Sequence, residues 1–551
     1  MDNKLIDADG LTRWLLSTPV LMAVSLISLV GMGFWTPLFD LDEGAFSEAT
    51  REMLASGNWV STYLNGEPRH DKPIMIYWLQ ALSASVFGIN SFAFRLPSVI
   101  AALCWLWLVY HFVKDYFSTK AAAIAVWVMA CTTLVSVIGK AATADALLNL
   151  LLTASFFQIF RFWYRQNQVS TPEDRNTIYT RCNFYSLLKL GVLFGLGFLT
   201  KGPVAVALPL VTALIAFALK GQFLLWLKAC LHPASWLTFI VIILPWHIAV
   251  YLDQGWGFFE GFYLGHNLGR FSSTMESHGG TPLYYILALP FLLLPFSRQF
   301  FMILGRVAGH IKSLQIRDLP LINIYFCVWF VLTLVLFSFS QTQLPHYLLY
   351  GLVPVFISMA QRLAEPGKAA RIWDSAIPVA TLLLFSWIPT ALMALLNKDD
   401  NYDAATALAG WQAFSGGLWL IALGITLAAI VVLFVKSIRP LNRALVLGFL
   451  SILACNFVLL PTLSTGQQQP VYDLAQRINQ EFSNSRVIAY KTNMPSFSVY
   501  TNRIVARMDP APGDVIFLRI DKVEQLQERF PEGEFSRLAQ SGGLALYRRD
   551  Q

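Results

Sequence analysis

The chain carries charged and aromatic side chains where apolar stretches begin or end, and these types suit chemistry on an anionic group. Lysine and arginine bind phosphate, and a carboxylate can act as a general base. Aspartate and histidine can also hold a divalent metal ion. The candidates are Asp40, Asp42, Glu43, His70, Asp71, Lys72, Asp145, Lys201, His266, Arg270, His346 and Tyr347.

The composition decides what kind of protein must position them. Of the 551 residues, 56% are hydrophobic and 13% are charged, whereas soluble globular chains carry about 25% charged residues. So few charges cannot cover a soluble surface, which excludes cytosolic, fibrous and disordered proteins and leaves a polytopic α-helical membrane protein. We attribute the net charge of +7 to basic cytoplasmic loops rather than to a nucleic-acid partner.

About thirteen apolar stretches are predicted to be transmembrane helices, the first of them retained rather than cleaved as a signal peptide. Basic residues concentrate in alternate loops, which assigns those loops and the N-terminus to the cytoplasm. The stretches are 14–36, 93–112, 121–138, 144–162, 186–200, 203–219, 234–251, 283–304, 320–338, 346–361, 373–396, 413–435 and 443–462.

This topology brings the candidates to one face of the membrane. The exoplasmic face receives the loops 37–92, 139–143, 252–281, 339–345 and 397–412 and the tail from residue 463. All of the candidates fall on this face although they come from distant parts of the chain. Because charge near a bilayer is costly, their clustering predicts a functional site at the membrane interface.

Two segments outside the apolar stretches have patterns of their own. In the first exoplasmic loop, 37–92, "SEATREMLASGNW" has helical spacing with charges on one side, which predicts an amphipathic helix at the interface. From 463 to 551, helical "YDLAQRINQEF" and "VEQLQERF" alternate with strand-like "RVIAY", "DVIFLRI" and "GLALYRR". The chain is therefore expected to hold a membrane domain, 1–462, and a small periplasmic α/β domain, 463–551.

The chemistry that this site could support is glycosyl transfer from a polyprenyl-phosphate sugar embedded in the membrane. Its phosphate leaving group needs cations, which Lys72, Lys201, Arg270 or a metal ion would supply. Asp42 would be the general base for an acceptor hydroxyl. An acceptor phosphate would already be ionised, and Asp42 would then orient a cation or the donor sugar.

Supporting roles are expected for Glu43, beside Asp42, and for His346. Asp71 and His266 have the right side chains to hold a divalent metal ion, although they lie on separate loops. No organic cofactor is indicated. The six cysteines show no CxxC spacing and no disulfide framework, and they are expected to be buried apolar residues.

Five stretches resemble the bacterial aminoarabinose–lipid A transferases and the wider family of membrane glycosyltransferases related to protein O-mannosyltransferases. They are "LDEGAFSEATREMLASGNWVSTYLNG", "HDKPIMIYW", "GFLTKGPVAVALP", "HNLGRF" and "FSFSQTQLPHYLL". Their order and spacing match the family over nearly the whole membrane part. The resemblance implies the GT-C fold, an undecaprenyl-phosphate-linked sugar donor, an exoplasmic site and often a divalent metal ion.

Residue by residue, the resemblance extends to the first half of the site. Asp42 matches the family's essential acidic residue of the first loop. Asp71 and Lys72 match its acidic–Lys–Pro motif, in which glutamate is common at the first position. Asp145 matches an acidic residue at the start of the fourth helix. Asp42, Lys72 and Asp145 are therefore the expected catalytic residues.

The second half of the site follows in the same way. Lys201 matches the lysine of a tight turn between two helices, and His266 and Arg270 match a histidine and an arginine of a later loop. Tyr347 matches the aromatic residue that faces the donor phosphate. The resemblance therefore implies a donor-phosphate site made of Lys72, Lys201, Arg270 and Tyr347. His266 is, with Asp71, one of the two metal-ligand candidates.

The sequence departs from the family at three informative places. The family usually has lysine where this chain has Gln341 and Gln343, and arginine where it has Ala45. With fewer cations beside the phosphate site, a neutral acceptor or a different donor sugar also fits the sequence.

The sequence thus predicts a bacterial inner-membrane glycosyltransferase with its site on the periplasmic face and a lipid A-type or other periplasmic acceptor. A protein O-glycosyltransferase of the same family is the alternative. A polyprenyl-lipid transporter would place charges near the bilayer midplane and show related halves. A non-catalytic envelope-assembly subunit would tolerate the loss of Asp42 and Lys72.

Overall fold

The computed structural model describes most of the chain, and it consists of helices followed by a small sheet. The described residues are 10–168, 181–269, 281–312, 319–365, 375–395 and 402–550. Arg270, one of the predicted phosphate-binding residues, lies outside them.

Apart from a short hairpin at 63–68, the regular structure described before residue 468 is helical. The α-helices are Gly10–Leu15, Thr18–Val30, Asp42–Ser56, Met75–Phe87, Ser91–Tyr116, Thr119–Ala130, Thr133–Lys140, Asp145–Gln168, Arg181–Lys201, Val204–Leu219, Phe223–Cys230, Pro233–Gln254, Gly257–Phe259, Tyr284–Leu292, Ser297–Lys312, Leu321–Ser338, Val353–Ala364, Ala376–Leu395, Tyr402–Ala413, Trp419–Phe434, Pro440–Ala454 and Leu460–Gln467. Short 3-10 helices lie at Gly31–Phe34 and Pro345–Gly351, and π-helices at Glu260–Leu268, Phe414–Leu418 and Cys455–Leu459.

Several of these helices have the length and composition to cross a membrane. Among the described residues there are seven, or up to eight if the bent pair Pro345–Gly351 and Val353–Ala364 forms one span. The seven are Ser91–Tyr116, Asp145–Gln168, Asn183–Lys201, Pro233–Gln254, Leu321–Ser338, Tyr402–Phe434 and Pro440–Gln467. The polytopic helical architecture is confirmed, whereas the number thirteen stays a prediction.

Two predicted helices are interrupted, and the interruptions meet. The stretch 283–304 breaks around Pro295, which lacks a backbone N–H and cannot continue a helix. The stretch 121–138 breaks at Cys131, and the backbone N–H of Thr133 donates to the carbonyl of Leu294 over 3.0 Å. A helix break leaves backbone polar groups without a partner inside their own helix. Here each break supplies a partner for the other, which apolar surroundings could not do.

The helix Asp145–Gln168 carries a predicted catalytic residue at its first position and is well buried. The indole N–H of Trp105 donates to the Thr153 hydroxyl over 2.8 Å. The indole N–H of Trp329 donates to the carbonyl of Tyr350 over 2.7 Å. Such bonds satisfy polar groups among apolar side chains, and the second one holds the 3-10 helix that carries His346 and Tyr347.

The first loop contains the predicted helix, which runs over Asp42–Ser56 and is called here the loop helix. Its charges do not lie on a solvated or interfacial surface, and that part of the prediction is wrong. Glu48 is 0% exposed and Arg51 4%, and their side chains form two hydrogen bonds of 2.7 Å each. Burial is tolerated because the two charges neutralise each other. The loop also contains the helix Met75–Phe87, which follows the proline of the motif.

The C-terminal segment forms the α/β unit that its pattern predicts. Its sheet has the order β3-β4-β6-β5, with β3 parallel to β4 and the other pairs antiparallel. The strands are β3 Val487–Ala489, β4 Val515–Arg519, β5 Phe535–Ser541 and β6 Leu544–Arg549, after the first-loop hairpin strands β1 Tyr63–Leu64 and β2 Glu67–Pro68. Its helices are Gln469–Glu481, Pro495–Thr501, a 3-10 turn at Ile520–Lys522 and Val523–Arg529. Strand β5 and the helix Pro495–Thr501 were not predicted.

The helix Pro495–Thr501, called here the docking helix, joins the C-terminal unit to the first loop. The Ser496 backbone N–H donates to Asp40 Oδ1 over 3.0 Å, and its hydroxyl donates to Asp40 Oδ2. The Leu38 N–H donates to the Tyr500 hydroxyl over 2.6 Å. Close approach requires a glycine, because a Cβ at Gly44 would lie 2.7 Å from the Ser496 nitrogen. Asp40, one of the candidate site residues, therefore holds the docking helix against the first loop.

This junction predicts a pH dependence of stability that depends on Asp40. Burial raises the pKa of Asp40 to about 7, although its bonds to Ser496 oppose the rise. Between about pH 4 and pH 7 the folded protein binds more protons than the unfolded chain, so stability falls as the pH rises through this window.

We expect the free energy of unfolding to drop by about 1 to 2 kcal/mol between about pH 5 and pH 8 in the wild type. Asp40→Asn keeps an acceptor for the Ser496 N–H and should remove this component. Melting temperatures of both proteins at the two pH values check this. An equal pH dependence in the two proteins would contradict the role of Asp40.

Candidate active site

Two cavities lie beside the loop helix and share a wall. The larger has a volume of about 460 Å³ and the smaller about 100 Å³. The residues that line both are Asp71, Lys72, Lys201, His266 and Tyr347. Asp42, Asp145 and His346 line the larger one. The structure therefore brings together eight of the ten predicted site residues. Of the other two, Glu43 is buried and lines neither cavity, and Arg270 lies outside the described residues.

A buried ion pair sits at the base of the larger cavity. Lys201 Nζ lies 2.6 Å from Asp145 Oδ1, and the Tyr350 hydroxyl lies 2.5 Å from the same oxygen. Asp145 begins its helix and Lys201 ends the helix Arg181–Lys201. A carboxylate at a helix N-terminus and a cation at a helix C-terminus are both stabilised by the helix dipoles. The pair is therefore pre-positioned with one cation directed at the cavities.

A second cluster surrounds Asp71. Its Oδ2 lies 2.8 Å from Arg69 Nη2, and its Oδ1 bonds Lys72 Nζ and lies 3.3 Å from His266 Nδ1. Burial alone would raise the pKa of Asp71, but Lys72, Arg69 and His266 hold it well below its usual range. Asp71 is therefore a fixed negative charge that orients the cations of the shared wall.

The predicted metal ligands, Asp71 and His266, do lie together, but their surroundings do not suit a cation. The Asp71 carboxylate is already bonded to Arg69 and Lys72, which would repel a divalent ion. Within the described ranges no group of three or more His, Cys, Asp or Glu side chains could hold a metal ion. A metal ion near the site stays a prediction.

Asp42 and Glu43 are neighbours with different tasks. The Glu43 carboxylate is buried and accepts hydrogen bonds from Arg95 Nε over 2.8 Å, from the Phe39 N–H over 2.8 Å and from the Ala142 N–H over 2.7 Å. Burial would raise the pKa of Glu43, and Arg95 more than offsets this and lowers it. Glu43 thus anchors the start of the loop helix.

Asp42 faces the larger cavity with its carboxylate exposed. In the part of the chain that the structure describes, this carboxylate makes no hydrogen bond and no ion pair within 4 Å. Asp42 is therefore available to an incoming molecule, as a base or orienting group must be.

His346 and Tyr347 lie beside the pair of Asp145 and Lys201. His346 Nε2 lies 3.7 Å from Asp145 Oδ1, and the Tyr347 ring centre lies 5.3 Å from Lys201 Nζ. A cation at this distance from an aromatic face is attracted to it. The supporting role of His346 and the phosphate-binding role of Tyr347 stay predictions.

Three residues were missed by the sequence analysis. Tyr350 bonds Asp145 and Lys201, and its spacing of three from Tyr347 is the signal that could have found it, because such residues share a face of a 3-10 helix. Arg69 and Arg507 line the larger cavity. Arg69 adjoins the "HDKP" motif, whereas nothing in the local sequence distinguishes Arg507.

The two glutamines that replace family lysines lie apart from the cavities. Gln343 is buried, and its amide donates to the carbonyl of Ser338 over 2.9 Å, at the end of the helix Leu321–Ser338. Gln341 is exposed. Neither residue lines the two cavities, so the cations of the site do not depend on these positions.

Comparison with known proteins gives a consistent result. Residues 71–171 match the family described as dolichyl-phosphate-mannose-protein mannosyltransferase. An undecaprenyl phosphate-alpha-4-amino-4-deoxy-L-arabinose arabinosyl transferase of Photorhabdus laumondii is 30% identical over 420 residues, which cover 72% of this chain and 71% of the relative. The transferase of that name from Shewanella sediminis is 26% identical over 496 residues, covering 88% of this chain and 83% of the relative.

The fold also matches a solved structure. The crystal structure of ArnT from Cupriavidus metallidurans bound to undecaprenyl phosphate superposes with a TM-score of 0.76 at 18% sequence identity, covering 98% of each chain. The apo structure of the same protein gives a TM-score of 0.75. The fold that the sequence resemblance implied is thereby confirmed.

Proposed function

Because the chain belongs to the family of undecaprenyl phosphate-alpha-4-amino-4-deoxy-L-arabinose arabinosyl transferases, it is a glycosyltransferase, and we propose that it transfers aminoarabinose from undecaprenyl phosphate to a lipid A-type acceptor. The observation that carries the proposal is the shared wall of the two cavities. It combines two lysines, a tyrosine and an adjoining carboxylate in one place.

The donor phosphate fits the smaller cavity and its rim. Lys72 and Lys201 supply positive charge there, and the rest of the lining is mainly apolar and includes Val204, Phe262 and Leu336. A polyprenyl phosphate presents the same combination of an anionic head and an apolar chain. Cations fixed beside the phosphate stabilise the charge that develops on it as it leaves.

The acceptor fits the larger cavity, where Asp42 is available. The bond between the anomeric carbon and the phosphate oxygen breaks, its electron pair leaves with the phosphate, and an acceptor oxygen bonds to that carbon. If the acceptor oxygen is a hydroxyl, its proton passes to Asp42. If it belongs to a phosphate, it is already ionised, and Asp42 orients the acceptor or the sugar.

The distribution of basic residues among the loops indicates which side of the membrane the site faces. We infer an inner-membrane protein with thirteen spans whose cavities and C-terminal unit face the periplasm, because the basic loops alternate with the loops that carry the site. Single-cysteine labelling from outside should modify the C-terminal unit but not the loop at 163–185. Labelling of 163–185 from outside would contradict this orientation.

A protein acceptor is the second candidate, since residues 71–171 match the protein mannosyltransferase family. The two acceptors can be separated by mass spectrometry of lipid A, total glycolipid and glycoprotein from cells with and without the chain. We expect a pentosamine-sized mass increase on lipid A that requires the chain and Asp42. A sugar lost from protein, with lipid A unchanged, would favour the second candidate, and no change in any pool would overturn glycosyl transfer.

A further inference from the structure

The larger cavity contains an arginine whose hydrogen-bonding capacity is only partly used. Arg69 bonds Asp71 through Nη2, and its guanidinium lies 5.1 Å from the ring centre of Phe46. Its side chain is 10% exposed. Its buried Nε and Nη1 make no hydrogen bond of ordinary length with the described residues, and the Tyr77 hydroxyl is the polar group that lies near the guanidinium. Buried donors of this kind are costly unless something accepts from them. A ligand in the cavity that Arg69 lines would supply the acceptors.

A second arginine reaches the same cavity from the C-terminal unit. Arg507 lines it together with Asn493, Pro495 and Ala506. The backbone there is fixed, because the Ala489 N–H donates to the Ala506 carbonyl over 3.0 Å and the Met508 N–H to the Ala489 carbonyl over 3.3 Å. These two hydrogen bonds to the last residue of β3 fix the backbone on either side of Arg507 and so hold this residue at the cavity.

Arg507 differs from the other arginines of the C-terminal unit, all of which are described. The others contact a carboxylate, a carbonyl, an amide, a sulfur or an aromatic ring; they are Arg477, Arg486, Arg503, Arg519, Arg529, Arg537, Arg548 and Arg549. For Arg507, no such contact is found among the residues that the structure describes. Its side chain is also exposed, so its guanidinium is available for binding.

We propose that Arg69 and Arg507 bind a phosphate group of a glycolipid acceptor, which makes the C-terminal unit part of the acceptor site. This inference rests on the proposed function. Two guanidinium groups from different walls of one cavity match a phosphate, whose oxygens accept several charge-assisted hydrogen bonds. Arg69 and Arg507 line this cavity together with Asp42, so a phosphate bound by them would lie in the cavity that Asp42 faces.

Selectivity for a phosphate group would come from the geometry of the hydrogen-bond donors of the two arginines rather than from a general positive potential. Lys72, Lys201, Arg69 and Arg507 are balanced in the lining by Asp42, Glu67, Asp71 and Asp145. Asp71 and Asp145 are already paired with lysines. A phosphate held by the two arginines would bring the acceptor close to Asp42 without depending on long-range attraction.

The test measures binding by the full-length protein in lipid nanodiscs, without donor. The probes are lipid A with two phosphates, lipid A with one phosphate and fully dephosphorylated lipid A. We expect Arg507→Gln to weaken binding of the doubly phosphorylated lipid by about 10-fold or more, since one charge-assisted contact is lost. Binding of the dephosphorylated lipid should be unchanged. Arg537→Gln, an arginine of the same unit outside the cavity, is the matched control.

Kinetic constants for sugar transfer then distinguish a failure of this inference from a failure of the proposed function. In the transfer assay, Arg507→Gln should raise the KM for the acceptor and leave the KM for the donor unchanged. Arg69→Gln should raise the KM for the acceptor by more, and the KM for the donor should rise as well, because Arg69 also bonds Asp71 beside Lys72. The inference is overturned if the wild type and Arg507→Gln bind the phosphorylated lipid equally tightly. It is also overturned if the wild type binds the phosphorylated and dephosphorylated lipids equally tightly, even where transfer is observed. Selective, Arg507-dependent binding without any transfer would uphold this site and reject the proposed function.

Discussion

Replacing Lys201 with methionine is expected to lower sugar transfer by at least about 100-fold and to destabilise the protein by about 3–5 kcal/mol. Lys201 and Asp145 are 9% and 8% exposed and lie 2.6 Å apart. Removing the lysine leaves a carboxylate buried without its counter-charge, which accounts for the loss of stability. Removing the cation beside the donor phosphate accounts for the loss of transfer.

A double variant separates the two effects. Asp145→Asn combined with Lys201→Met removes both charges, so most of the stability should return, because an uncharged pair leaves no buried charge without a partner. Transfer should stay lost, because the phosphate still lacks its cation. Melting temperature and single-turnover transfer, measured on the wild type, Lys201→Met and the double variant, give both quantities.

Lys140→Met is the matched control for a buried cation. Lys140 donates to the Asn456 amide oxygen over 2.6 Å and to the Ser28 carbonyl over 2.9 Å, and it lines neither cavity. Folded Lys140→Met protein should therefore transfer sugar at about the wild-type rate. Near-normal transfer by folded Lys201→Met protein would remove Lys201 from the mechanism.

The second large effect is expected at Asp42. Asp42→Asn should reduce kcat by about 100- to 10,000-fold if the carboxylate takes the proton of an acceptor hydroxyl. The melting temperature should change little, since Asp42 is exposed and makes no hydrogen bond with the described residues. Steady-state transfer by purified protein, with circular dichroism as a check on folding, measures both.

The choice of acceptor distinguishes the two roles of Asp42. As a base it should be needed for transfer to a hydroxyl and much less for transfer to a phosphate, which is already ionised. As an orienting group it should be needed for transfer to both kinds of acceptor. Asp253→Asn is the control, because Asp253 is exposed, accepts a hydrogen bond from Asn58 over 3.0 Å and lines neither cavity. Wild-type turnover in Asp42→Asn would exclude both roles.

Much of the fold could be predicted because the membrane forces helices to be apolar and long. Hydropathy alone therefore located most of the helices, and the alternation of basic loops placed the candidates on one face. The same physical constraint identified Asp145 and Lys201, since ionised groups at the ends of apolar helices are rare without a function. Their pairing across 56 positions is a tertiary contact that no local pattern contains.

What the sequence could not provide depends on packing between distant segments. The charges of the loop helix have the spacing of a solvated face, and only the buried pair Glu48–Arg51 shows that the face is covered. The docking helix was overlooked because "PSFSVYT" is short and lacks a clear period. Arg507 became a candidate only after the C-terminal unit was seen to line the cavity.

The junction between Gly44 and Ser496 has a consequence for the order in which the protein is made. The first exoplasmic loop leaves the ribosome long before the docking helix, yet both contribute to the larger cavity. A nascent or truncated chain therefore lacks one wall of the larger cavity although Lys72 and Lys201 are already present. The larger cavity is complete only once the C-terminal unit has been synthesised and has folded against the first loop.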